Sequence, residues 1–265
     1  MRSRSIWIGL LLAAMLLGAC AGGSEAGSTT TTTTIVATTT TATTPVTTTA
    51  PTTIVDSPSS TTAPASTTTT GSSGLPGEPI DFGPAEGDTL AVIGVAHDDV
   101  LNLRAAPGAD QGILDGIPPL YDAVTAVGET RQLPGSFWIE VNYEGTEGWV
   151  NLRFISYLGD TTDGTSAVVE NLGAIPGGET MLDLGFIVAE SLASEEPASE
   201  IVLTVAPTVG DLGEVTYDVI GLGDDAVRGL RVHVFGQPVD EAFTLDTVEI
   251  TTLCGRGVDE NGFCV

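Results

Sequence analysis

Phe137-Trp-Ile-Glu-Val-Asn-Tyr143-Glu-Gly-Thr-Glu-Gly-Trp149-Val-Asn151 alternates apolar and polar residues, breaks at Glu144-Gly145, and resumes. Successive side chains of a strand point to opposite faces. Phe137, Ile139, Val141 and Tyr143 therefore share one face, and Trp138, Glu140 and Asn142 the other. An acid–glycine pair between two such runs is a hairpin turn. Upstream, Leu90–Val95, Val100–Arg104 and Asp122–Val127 read as further short strands, with Leu101 and Leu103 opposite Asn102 and Arg104. Residues 128–136, including Arg131-Gln-Leu-Pro-Gly135, read as an extended loop. Only local turns separate the strands, so a small antiparallel barrel is expected.

Two motifs on these strands carry a family resemblance. Asn102-Leu103-Arg104-Ala105-Ala106-Pro107-Gly108 resembles the N-[VL]-R-x-x-P opening of bacterial SH3 (SH3b) domains. Trp138 to Val150, followed by Phe154-Ile155 and Tyr157-Leu158, resembles that family's closing hairpin. The likeness covers about residues 89–158, inside a domain read as 80–159. It implies an SH3-like barrel whose hairpin lines a groove for cell-wall peptides. It also implies ligand contact by Trp138, with Tyr143 and Trp149 as secondary candidates. The residues themselves leave an alternative, in which Tyr143 and Trp149 are core and Trp138 packs on the 128–136 loop. The chain departs from the family in that loop and in having few basic residues there.

Residues 165–265 read as a second, α+β domain. Thr180 with Asp183 fits a capping box. Leu184, Ile187, Val188 and Leu192 then recur at helical spacing until Pro197, predicting one helix over 181–194. Four strands follow. Ile201–Ala206 is apolar on both faces and reads as central. Glu214–Ile220 and Leu230–Phe235 each present one apolar face, with Arg231 and His233 on the outward side. Phe243–Leu253 changes phase near Asp246-Thr247, which predicts a bulge. One helix on a four-stranded antiparallel sheet is the layered solution. The segment resembles tails that follow SH3b domains in exported actinobacterial proteins.

The N-terminus is of another kind. Arg2 and Arg4 precede an apolar run from Ile6 to Leu17, too short for a span of roughly 20 residues. It reads as a signal peptide, residues 1–19. Leu17-Gly18-Ala19-Cys20 resembles the bacterial lipobox, which implies cleavage before Cys20 and diacylation of its thiol. Two acyl chains exceed what reversible membrane binding needs. Residues 20–79 are Thr-, Ser- and Pro-rich with almost nothing to bury, and read as a disordered linker of roughly 40 Å r.m.s. reach. Of the three cysteines, lipidation accounts for Cys20. Cys254 and Cys264 are expected to pair, free or metal-binding thiols being the alternative, and such a loop contributes about 2–3 kcal/mol.

Thirty-five acidic residues face eight arginines and no lysine, for a formal charge of −27. A phosphate backbone would be repelled, so nucleic acid is not an expected partner. His97 and His233 sit in no catalytic frame, and Asp160-Thr-Thr-Asp163-Gly164 lacks the later ligands of a calcium loop. No enzyme activity, metal or cofactor is expected. The expectation is a membrane-anchored, extracytoplasmic lipoprotein of the cell envelope, with a non-catalytic SH3b module for peptidoglycan or an envelope peptide. The alternative is a structural lipoprotein whose C-terminal domain binds a protein partner while SH3b serves as scaffold.

Overall fold

A computed structural model describes residues 74–265. The signal segment, Cys20 and the linker up to residue 73 lie outside the described residues. The strands are β1 (Glu78–Ile80), β2 (Thr89–Val92), β3 (Leu101–Arg104), β4 (Ile113–Ile117), β5 (Val124–Leu133), β6 (Ser136–Tyr143), β7 (Thr146–Asn151), β8 (Ile155–Asp163), β9 (Gly177–Gly178), β10 (Glu200–Val209), β11 (Gly213–Ile220), β12 (Val227–Val239) and β13 (Ala242–Cys254). A 3-10 turn, Leu152–Phe154, precedes β8, and two helices, α1 (Thr165–Leu172) and α2 (Met181–Ser191), lie between β8 and β10. The fold is mainly β and antiparallel, with an SH3-like body, as the alternation predicts.

The β6–β7 hairpin closes at Glu144 and Gly145, both at positive φ, the signature of a type I′ turn. Its inward residues Ile139, Val141, Tyr143 and Val150 pack with Leu90, Leu101, Leu103, Ile117 and Ile155. Residues 128–136 are not a loop. After a bulge between Ala126 and Thr130, β5 continues to Leu133 and pairs with β6 up to Ser136. Bulges of this kind hide behind polar composition in a single sequence. β1 then pairs with β5 from Glu78 to Ile80, so a strand reaches into the end of the stretch read as linker. Pro79 is tolerated there because β1 is an edge. The Arg131 guanidinium draws this segment in, donating to the carbonyls of Leu75 and Gly77.

In the C-terminal region β10, β11, β12 and β13 are hydrogen-bonded in sequence order. The capping box at Thr180 and Asp183 is present. Met181, Leu184, Val188 and Ala189 of α2 bury against Val215, Tyr217, Val232 and Val234. Gly185 belongs to this contact, since a Cβ there would lie 2.4 Å from a Val215 methyl. The predicted bulge exists: Phe235 pairs with Thr247 and Gly236 with Leu245, leaving Asp246 out of register. Three expectations need correction. There are two helices, not one. α1 is short and carries adjacent β-branched valines, which lower its helical signal, and the Asp163 carboxylate accepts from Thr165 N–H at its start. β10 is not central but ends the strand path. It is apolar on both faces because Ile201 and Leu203 face the α2 core while Val202 faces the SH3-like body. Arg231 does not point to solvent, for the reason that follows.

The sheet does not stop at the boundary expected near 159–165. β8 pairs with β2 through Ser156 and Ile155, and with β13 through residues from Tyr157 to Asp163. Cys254 and Cys264 are disulfide-bonded, and the tail they tie down lies over β8, where Asp160 N–H donates to the Gly262 carbonyl. Asp218 of β11 is wholly buried. Its carboxylate accepts from Arg231 Nε at 2.9 Å and from the Gly94 N–H at 2.9 Å, and Arg231 also donates to the Val92 carbonyl at 2.7 Å. Arg228 donates to the carbonyls of Leu152 and Ile155. These contacts bind the two regions directly.

Removing one member of a buried pair strands the other's charge, at about 3–5 kcal/mol. Arg231→Met is expected to lower stability by that amount, and denaturant unfolding followed by fluorescence and by circular dichroism should shift together. Tyr157 titrates above the ordinary tyrosine range because burial and its 2.5 Å bond to Asp88 favour the neutral phenol. Its contribution is therefore complete below the ordinary value of 10.0 and is lost as pH rises above it. Tyr157→Phe should flatten the alkaline fall of the thermal midpoint, in part only, since burial also raises Tyr217.

Candidate functional site

The strand alternation that buries Ile139 and Val141 turns Trp138 and Glu140 to the opposite face of β6. Register sets Trp138 beside Asn151, and Trp149 beside both Glu140 and Arg104. Side chains at paired positions share a face, so this face carries two tryptophans among Arg104, Asn102, Asn151 and Glu140. Neither tryptophan belongs to the main apolar cluster. Trp138 is 4% exposed and Trp149 2%.

A cleft of about 410 Å³ opens over Trp138. Its lining on the SH3-like side includes Val95, Asp99, Asn102, Arg104, Trp138, Asn151 and Phe154, and on the other side Glu200 and Val202 of β10. The indole N–H of Trp138 donates to Ser136 Oγ at 3.0 Å, which fixes the ring so that it floors the cleft. β10 is held against this side by the His97 N–H, which donates to the Leu203 carbonyl at 2.9 Å. Glu140, on the same sheet face, is pushed above the usual carboxylate range by burial and by the charges of Glu129 and Glu147.

Of the three aromatic candidates, the cleft takes only Trp138. Tyr143 packs in the core, with its ring edge-on to Tyr121 at 4.9 Å. Trp149 lies on the Trp138 face but outside the cleft lining. Sequence reasoning missed Asn151, Glu200 and Val202 as lining residues. Val202 left a signal, the second apolar face of its strand, and Glu200 left none. Asn102 and Arg104 were visible as the polar side of their strand. His233 lies elsewhere, against Phe235 and between Glu214 and Glu249 at 3.5 and 3.7 Å.

The described residues hold no helix long and apolar enough to cross a membrane. No curated protein and no solved structure matches the chain. A family model does match, that of the bacterial SH3 domain, over residues 99–156. That span runs from the cleft residue Asp99 through β3 to β7 and ends at Ser156, on the strand that joins the two regions. Residues 99–156 are therefore a bacterial SH3 domain, set within a larger sheet to which the C-terminal region contributes.

Proposed function

We propose that the chain is an exported lipoprotein, acylated at Cys20, whose SH3 domain is a non-catalytic binding module for peptidoglycan or a cell-envelope peptide. The observation that carries this reading is the cleft floored by Trp138 within the matched SH3 segment. A concave site with an aromatic floor and a few polar groups suits a small peptide. Bacterial SH3 domains are typically envelope-associated, which agrees with a leader ending in a lipobox-like Cys20. The charge of −27 would repel anionic lipid headgroups, so the acyl chains supply membrane attachment and the linker supplies distance.

One observation favours a second reading, a protein partner on the C-terminal region. Leu172, Ile175, Leu182 and Phe186 of the helical segment are exposed, and Ile175 also lines a cleft of about 400 Å³ with Val169 and Leu245.

The test is co-sedimentation of the full-length chain, in detergent micelles, with purified cell walls. Wild type is expected to pellet with the walls, and Trp138→Ala to lose about tenfold or more in affinity. Because Trp138 is buried, Val202→Asp serves as a second variant with the same expected loss. Absence of pelleting at both low and high salt overturns the wall-binding reading and favours the partner reading.

A further inference from the structure

The cleft over Trp138 is electrically polarised along its length. Arg104 stands at one end, with one guanidinium nitrogen held by the Gln111 carbonyl at 2.6 Å. Its other nitrogens have no partner among the described residues. From the pairing of Arg104 with Trp149, β3 runs back through Asn102 toward Asp99, while β7 runs on to Asn151 and the turn beyond. Five residue steps separate Asp99 from Arg104, at most about 17 Å in an extended chain.

At the Asp99 end stands a second carboxylate, Glu200 of β10. Among the described residues it is paired only with Arg153, and those side chains are 55% and 63% exposed. An exposed pair of this kind contributes little and exchanges readily. Between the two ends lie the Trp138 ring, Val202 and the Asn102 amide, whose side chain has no hydrogen-bond partner among the described residues.

Positive end, aromatic middle and negative end together describe the complement of one kind of molecule. We propose that the cleft, read as the ligand site, takes a short zwitterionic peptide. Its carboxylate meets Arg104, its ammonium lies between Asp99 and Glu200, and its aliphatic part rests on Trp138 and Val202. Charge-assisted hydrogen bonds of this type are the strong ones. Glu200 and Val202 lie outside residues 99–156, so the C-terminal region supplies specificity residues that the SH3 segment lacks. The acidic surface favours encounter by the ammonium end.

The test is an NMR titration of the full-length chain in micelles, read at the Trp138 indole N–H. The probes are tri-alanine, its N-acetyl form and its C-terminal amide. Tri-alanine is expected to shift the resonance, and each blocked form to bind roughly tenfold more weakly. Glu200→Gln should weaken tri-alanine about fivefold and leave the acetylated peptide unchanged. Arg104→Gln should do the same for tri-alanine and spare the amide. Equal affinity for the three peptides, or no effect of Glu200→Gln, overturns the zwitterion assignment. Failure of all three peptides while walls still pellet overturns the assignment alone. Failure of both overturns the reading of the cleft as well.

Discussion

Asp218 and Arg231 are the contact on which the arrangement of this protein depends. A carboxylate taken fully out of water loses several kcal/mol of hydration, and a single counter-ion does not restore it. Here the oxygens of Asp218 receive Arg231 and the Gly94 N–H, while Arg231 reaches past them to the Val92 carbonyl. The satisfied network contributes less to net stability than to geometry. Two of its partners belong to the β2 end of the SH3-like body and two to the C-terminal sheet. If the regions separated, the Asp218–Arg231 pair would stay together on β11 and β12, but the Gly94 N–H and the Val92 carbonyl would each lose their partner.

That geometry has a functional consequence. The second wall of the Trp138 cleft is β10, an edge strand hydrogen-bonded to β11, which carries Asp218. With Asp218 clamped to Gly94, Val202 and Glu200 stand across from Asn102 and Trp138. β8 supports the same arrangement by pairing with β2 and then with β13. Ser156 Oγ donates to the Cys254 carbonyl at 2.6 Å, which brings the disulfide-tied tail onto the joining strand. Gly159 allows that approach, because a Cβ there would lie 2.8 Å from the Gly262 carbonyl oxygen.

What the residues disclosed in advance follows from how local each signal is. The hairpin around Glu144-Gly145, the capping box at Thr180 and the phase change at Asp246 are written in adjacent residues, and each appears in the structure. Trp138 could be assigned to a face by counting, but not to a cleft, because the opposing wall comes from residues some sixty positions later. For the same reason Arg231 read as outward. Alternation tells which side of a strand a residue takes, not what lies against that side. The continuation of β5 past Gly128 was hidden because its residues 129–132 are polar and its partner β1 lies within what reads as linker. Glu200 could not be picked out among thirty-five acids, since its role depends on position alone.

A binding site shared between two regions requires that neither opens without the other. Native-state hydrogen exchange on the full-length chain measures this directly. The Gly94 amide, bonded to Asp218, should exchange only through the same global opening as the core amides of Val141 and Val232. If residues 89–157 instead exchanged through a lower-energy opening that left β11 and β12 protected, the SH3 domain would be an independent body and the shared cleft would not persist in solution.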